Sequence, residues 1–433
     1  MSNVIDRKRL VCVSGTANNN KFYDISLKDD GTVLKHWGRV GARGQQQTVA
    51  GGRVAFESAV RQKKGRGYTE VDTIDAPAVP GVDAQDKTAL AHAASQNLVA
   101  DSADPTLVDL VRRLVAANKH QLHEASGGMI TVNAAGRVTT PLGVIGERAL
   151  STARDVLTHL AVELNGSVRA RLTEEYLRLV PQKVPARGGW VENWITNHTT
   201  VEKQVDLLDA LDSTLRFARS SAGADKQNEP AVDFRYRVSV LDPACEEHAR
   251  ITEKFEAGKS AHHRGVQALR VNRIFVLEDR SDGKIAFETT AKRIRNVKER
   301  WHGSRAANIL SILSKGLFVP DFGNSGTIQT AGRMFGNGIY GSSMSSKSAN
   351  YSRGGVWSQG RDDVCFMFLA DFAMGAEYRP QHGYSDREFR TGTYRDHQFT
   401  SVEVAAGTAG VINPESVVPS CDQINLKYLL ELA

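Results

Sequence analysis

Cysteine is scarce in this chain. Cys12, Cys245, Cys365 and Cys421 are the four among 433 residues, and no two stand as a Cys-x-x-Cys pair. That spacing excludes a thiolate zinc site and gives no disulfide framework, so isolated reduced thiols are expected, with no metal. Long apolar runs are lacking as well: none approaches the roughly 18 residues of a membrane span. The opening MSNVIDRKRL has no apolar core of the kind a secretory signal needs. An intracellular protein without a membrane partner is expected. The absence of a long Lys/Arg run and the Ala-rich linker described below favour a bacterial cytoplasm; a eukaryotic protein would be nuclear. No internal repeat is present.

What is there reads as an ordinary globular protein, 41% hydrophobic and 24% charged. The length exceeds one typical core, so two to four domains are expected. The net charge of +6 is informative once located. Residues 1–73 hold 13 Lys and Arg against 7 Asp and Glu, so the whole excess sits in the first sixth of the chain. A compact basic module is the usual footprint of a polyanion binder, although a solvated face could carry the same charge.

Four regions follow from composition and periodicity. Residues 1–80 are β-rich: FYDISLKDDGTVLKHWGRVG holds two strand-like runs joined by the hairpin signal Asp30-Gly31, and RVAFESAVRQKKGRGY reads as a short helix with a basic end. Residues 81–104 lie in an aromatic-free stretch rich in Ala, Asp, Ser and Pro, which reads as a linker. Residues 105–225 turn helical, from the capping Asp104-Pro105 through the stripe Leu107, Leu110, Val111, Leu114 and Val115. A second stripe is Ala149, Ala153, Val156, Leu157, Leu160, Ala161 and Leu164, and Leu207, Leu208, Leu211 and Leu215 form a third. An all-α bundle with two long loops is expected. From about 230 to 433 strands dominate with frequent glycines, which predicts an α+β domain. Within it, LRVNRIFVLEDRSDGKIAFE is expected to be strand, turn at Asp282-Gly283, strand.

Three segments carry chemistry. In WHGSRAANILSILSKGL, His302 sits at a strand end beside Gly303, which allows close backbone approach; a lone histidine there is either structural or ligand-facing. In RMFGNGIYGSSMSSKSANY, a helix beginning near Ser345 puts Ser348 and Tyr351 on one face, the geometry for gripping a flat polar ring. Lys347, directly before Ser348, reads by default as solvated. In VINPESVVPSCDQINLKYLL, Glu415 enters an apolar run and is either edge decoration or a catalytic carboxylate.

Taken together, these segments resemble the poly(ADP-ribose) polymerase family. Its His-Tyr-Glu pattern is matched by His302, Tyr340 and Glu415, and QINLKYLL matches the family's last strand. The helical region with TPLGVI looks like that family's regulatory helical domain. HWGRVG matches the Trp37-Gly38-Arg39 signature of the WGR DNA-binding domain. The resemblance implies NAD as ADP-ribose donor. It implies that Tyr351 stacks on nicotinamide with Tyr340 closing the other side, and that Ser348 and the Gly303 backbone hold the carboxamide. His302 and Ser304 would take the adenosine-side ribose, with Asn308 near the adenine, and Glu415 would bond the nicotinamide ribose and polarise the attacking hydroxyl.

It further implies poly-ADP-ribosylation of protein acceptors including the enzyme itself, stimulated by DNA strand breaks and restrained by the helical domain. Trp37, Arg39, Arg61, Lys63 and Lys64 would contact DNA; Trp37 alone would read as core. The chain departs from the family at Phe318, where close members carry arginine, at Arg333 in place of a tyrosine, and at Asn337 in place of a lysine. Arg333 either restores a phosphate contact or is a solvated loop residue. Mono-ADP-ribosyl transfer, or a DNA-end binder with an inactive catalytic fold, are the alternatives.

Overall fold

The computed structural model describes residues 2–15, 19–71, 98–101, 103–133, 138–163, 165–185, 189–196, 198–222, 234–319, 334–352, 365–382 and 395–433. The chain divides into two compact units: residues 1–85 with 122–215, and residues 86–121 with 216–433.

In the first unit, strands β1 (Val4–Ser14), β2 (Asn19–Lys28), β3 (Val33–Arg39), β4 (Gln45–Val49) and β5 (Thr69–Val71) form an antiparallel sheet of order β4-β3-β2-β1-β5. The Asp30-Gly31 signal closes the β2–β3 hairpin, with Thr32 N–H and Oγ1 both donating to Asp30 Oδ1 and Gly31 at φ +77°. Helix α1 (Gly52–Lys64) turns Phe56, Ala59 and Val60 onto Leu10, Tyr23, Ile25, Leu27 and Val33. This i, i+3, i+4 spacing is the apolar stripe of a surface helix. Leu10–Val13 is buried without a break, because the opposite face of β1 is covered by a helix from the region that follows.

That region contributes α2 (Pro105–Ala125), α3 (Glu147–Val162), α4 (Gly166–Leu179) and α5 (His198–Ala222); α4 is the helix on β1. Asn165 caps α4, its Oδ1 accepting from the N–H groups of Ser167 and Val168. Arg154 on α3 pairs with Asp209 on α5 at 2.6 Å. The second stripe is buried at Ala153, Val156, Leu157, Leu160 and Ala161. The region is not purely helical: β6 (Thr131–Val132), β7 (Val138–Thr140) and β8 (Gly143–Val144) make a small antiparallel sheet where a loop was expected. Its Thr-rich β-branched runs, cross-linked by Thr131 and Thr139 hydroxyls at 2.9 Å, suit strands better than coil.

The second unit is built on an antiparallel sheet of order β11-β13-β17-β10-β9: β9 (Tyr236–Val240), β10 (Val271–Asp279), β11 (Val297–Gly303), β13 (Cys365–Ala373) and β17 (Ile424–Leu432). A smaller sheet of order β12-β16-β15-β14 joins β12 (Ile339–Gly341), β14 (Glu377–Tyr378), β15 (Ser401–Val404) and β16 (Glu415–Val418). A backbone bridge joins the two sheets where Trp301 N–H donates to Ser342 O at 2.8 Å and Ser342 N–H to Trp301 O at 3.0 Å. Helices α6 (Glu246–Ala257) and α9 (Ser345–Ser352) cover the larger sheet, burying Ile251, Phe255 and Ala349 around Trp301, Met367 and Leu369. Helix α8 (Ala306–Lys315) is buried on nearly all sides.

The expected second strand after Asp282-Gly283 is instead helix α7 (Gly283–Ile294). Gly283 N–H bonds Ser281 Oγ, Ala286 N–H bonds Asp282 O, and Phe287 is the buried residue of the helix. One apolar anchor with Lys284, Glu288 and Lys292 around it fits a helix face, not a half-buried strand.

Two features of the expected linker and helical region belong to this unit. Val99 bridges Val238 in parallel, and Ala100 N–H donates to Val238 O at 2.7 Å, so residues 98–100 cover the β9 edge. Asp109 on α2 accepts from Arg273 of β10 at 3.2 Å.

Candidate functional site

The site is organised by the close approach of β11 to α9. Gly303 ends β11, and a Cβ added there would lie 1.7 Å from Ser348 O and 2.6 Å from Ser348 C. Glycine is required on packing grounds alone. The Ser348 hydroxyl donates to Trp301 O at 2.9 Å, so its lone pairs are what it offers a ligand. Tyr351, one turn on, keeps 57% of its surface exposed. Its hydroxyl is held above the usual phenol range, first by burial of that end and then by the Glu415 carboxylate.

Glu415 opens β16, and Lys347 is its partner. Lys347 Nζ lies 2.5 Å from Glu415 Oε1 and donates to Pro414 O at 3.2 Å. The lysine is only 8% exposed, so the solvated reading is corrected. Burial lowers its pKa, and Glu415 works against that shift. The signal available in the sequence was the i, i+4 relation of Lys347 to Tyr351. Beneath the carboxylate, the Ser342 hydroxyl also donates to Pro414 O at 2.8 Å. On the other side of β16, Arg300 Nε donates to Ser416 Oγ at 2.6 Å and Nη2 to Glu403 Oε1 at 2.8 Å. These residues fix the strand that carries Glu415, and nothing in the linear pattern singled them out.

His302 Nδ1 lies 2.8 Å from Tyr340 O. A carbonyl only accepts, so Nδ1 bears the hydrogen and neutral His302 presents Nε2 as an acceptor. Burial lowers its pKa, partly opposed by the Tyr340 carbonyl. Tyr340 itself is tied down: its hydroxyl donates to Gly336 O at 2.8 Å and accepts from Phe335 N–H at 3.0 Å. Its ring packs on Phe335, Val402 and Val417. Gly338 before it permits this, since a Cβ there would meet Val417 Cγ1 at 2.6 Å.

Ser304 follows Gly303, and Asn308 lies in the first turn of α8, its N–H donating to Arg305 O at 2.9 Å. Arg333 and the loop from 320 to 333 lie outside the described residues. Phe318 is exposed. Among the described residues no group of three or more His, Cys, Asp and Glu could hold a metal ion, and no helix is long and apolar enough to cross a membrane.

The basic module presents a cleft of about 520 Å³ lined by Trp37, Arg39, Lys21, Lys63, Arg66 and Tyr68, among others. Trp37 both packs on the module's core, 6.2 Å from the Tyr23 ring, and faces this cleft. Lys63 Nζ sits over the Tyr23 ring at 4.3 Å and the Tyr68 ring at 5.2 Å. Its pKa is lowered by burial and then by Arg66, Lys21 and Lys35. Lys21 is the cross-strand partner of Arg39; like charges so placed repel unless an anion joins them. Lys21 was readable from the hairpin register, and Arg66 belongs to the basic run read at the end of the helix segment. Arg61 lines a neighbouring cleft of about 510 Å³ with Lys35 and Gln62. Lys64 is paired with Glu70 at 2.6 Å and stands apart from these. Arg39 Nη2 donates to Pro185 O at 3.1 Å, within the same compact unit.

Residues 245–433 match the poly(ADP-ribose) polymerase catalytic domain family, and residues 7–74 match the WGR domain family. The chain is 27% identical over 325 residues to Poly [ADP-ribose] polymerase 1 of Gallus gallus, covering 67% of this chain and 31% of that protein. It is 24% identical over 325 residues to Poly [ADP-ribose] polymerase 1 of Danio rerio, covering 67% and 30%. Against Poly [ADP-ribose] polymerase of Drosophila melanogaster it is 26% identical over 247 residues, covering 54% and 23%. The chain thus spans less than a third of the length of these relatives.

Proposed function

Because this chain carries a WGR domain followed by a poly(ADP-ribose) polymerase catalytic domain, we propose that it is an NAD-dependent ADP-ribosyltransferase. It builds poly(ADP-ribose) on protein acceptors, itself included, and DNA strand breaks stimulate it. In this reading residues 1–80 bind DNA, 81–104 link, 105–225 regulate and 230–433 catalyse. The carrying observation is the Lys347–Glu415 pair, beside the helix that bears Ser348 and Tyr351.

The exposed Tyr351 ring offers a face to nicotinamide, a flat cationic ring that an aromatic attracts. Ser348, its hydrogen engaged by Trp301, accepts from the carboxamide N–H, and the Gly303 backbone holds the other side of the carboxamide. His302 Nε2 accepts from the hydroxyl of the adenosine-side ribose. As the bond to nicotinamide breaks, positive charge grows on the ribose carbon, and a fixed carboxylate stabilises it. Lys347 engages Glu415 Oε1, so Oε2 faces the sugar and the incoming hydroxyl, which it polarises.

The basic cleft supports the DNA reading. Four cations (Lys21, Arg39, Lys63 and Arg66) and three aromatic rings (Phe22, Trp37 and Tyr68) share it, and the cations' mutual repulsion is relieved when phosphates enter. A strand end, read by charge and stacking, is its ligand. Arg39 joins this cleft to the Pro185 carbonyl, so phosphate binding at Arg39 competes with a contact to the helical region and favours its open state.

Labelled-NAD incorporation by the full chain tests this, with no DNA, intact duplex or nicked duplex. Long polymer appearing with nicked duplex is expected. A single added unit would move the assignment to mono-transfer. Equal labelling without DNA would remove the switch, and DNA-end binding without NAD consumption would mark the catalytic fold as inactive.

A further inference from the structure

A histidine outside the sequence-derived site bridges the two elements on which the Lys347–Glu415 pair depends. His263 lies just after α6, in a turn closed by its own N–H to Ser260 O at 3.0 Å. Its Nδ1 is 2.8 Å from Ser346 Oγ, and the same oxygen accepts from Ser260 N–H at 2.9 Å. Ser346 is fully buried and directly precedes Lys347. The opposite ring nitrogen, Nε2, is 3.1 Å from Asn413 Nδ2, two residues before Glu415.

The proton inventory is consistent. An amide nitrogen only donates, so Nε2 accepts from Asn413 and Nδ1–H donates to Ser346. The segment bearing Asn413 needs such a hold. Ile412 beside it is 76% exposed, and residues 405–414 form no strand before β16 begins at Glu415. Pro414 fixes one backbone angle between Asn413 and Glu415, and its carbonyl is already held by Ser342 and Lys347. A constraint at Asn413 is therefore transmitted to Glu415 through a short, stiff connection.

We infer that His263 is a positioning residue for the transfer reaction: it clasps Asn413 to the start of α9 and so keeps the Glu415 carboxylate in register with Lys347. It touches no reacting atom. The inference rests on Glu415 being the catalytic carboxylate. Loss of the clasp lowers turnover and leaves NAD affinity nearly unchanged, because Ser348 is held independently by its bond to Trp301 of β11.

The test is a double-mutant cycle on the full chain with nicked duplex, using His263→Ala, Asn413→Ala and the pair. NAD consumption, NAD affinity and melting temperature are measured for each. Each single variant is expected to lower kcat about tenfold with NAD affinity within about twofold, and the double is no worse than the weaker single. His263→Gln is expected to recover most of the rate, since a Gln amide supplies one acceptor and one donor at similar spacing. Normal kcat in both single variants, additive losses, or a loss that Gln does not relieve would overturn the positioning role. Glu415→Gln is run alongside. Full loss there with normal His263→Ala turnover refutes the clasp alone, and an active Glu415→Gln refutes the site assignment and the clasp with it.

Discussion

Lys347 Nζ and Glu415 Oε1 are 2.5 Å apart, from a helix and a strand 68 positions apart in sequence. Both side chains are largely withdrawn from water, so removing either one leaves the other charge buried without its partner. Lys347→Met leaves the carboxylate without its orienting cation. We expect kcat to fall roughly ten- to hundredfold with a smaller change in NAD affinity, as for loss of a group acting on the transition state. Steady-state kinetics with a parallel binding titration check this.

Gly303→Ala places a methyl group within 1.7 Å of the Ser348 carbonyl oxygen. Backbone cannot yield as a long side chain can, so β11 and α9 must separate. A stability loss of about 1–3 kcal/mol is expected, together with loss of NAD binding. Thermal melting and ligand titration read the two effects separately.

His302 gives a pH dependence of known sign. Its folded pKa is below the ordinary 6.5 because burial disfavours the cation. The unfolded chain therefore binds the proton more readily, and stability falls as pH drops from about 6.5 towards the lower folded value. His302→Asn is expected to flatten that part of the melting-temperature profile. Turnover falls at the lower end of that descent, where folded His302 takes up its proton on Nε2 and loses the acceptor. Melting curves and rates between pH 5 and pH 8 check both.

In the basic module the cations are not equivalent. Arg39→Ala or Lys63→Ala should weaken binding to a nicked duplex about fivefold to tenfold and lower the salt slope by about one. Lys64→Ala should stay near wild type, because Lys64 is engaged by Glu70. Arg39→Ala should also blunt DNA stimulation more than its binding loss explains, through the Pro185 contact. Fluorescence anisotropy over a salt series, paired with DNA-titrated activity, measures these.

Local signals read well from the sequence. The Asp30-Gly31 hairpin, the basic helix at 52–64, the helix starting at Ser345 and Glu415 at the head of a strand each depend on neighbours within a few positions. The short apolar run KIAFE misled because a single buried Phe287 fits either period, and packing chose the helix. The sheet at 131–144 was hidden because its strands are two and three residues long. The helical stripes were legible, yet their grouping was not: residues 86–121 fall with the catalytic strands and 122–215 with the WGR sheet.

The sequence by itself determined the order of modules and the concentration of positive charge in the first one, which follow from local periodicity, composition and motif. Only the tertiary structure decided that Lys347 is buried against Glu415, that Tyr340 spends its hydroxyl on a turn, and that His263 reaches Asn413 150 positions away. A charge or hydroxyl is neutral in meaning along the chain; burial and the partner that folding brings within about 3 Å set its protonation and its orientation.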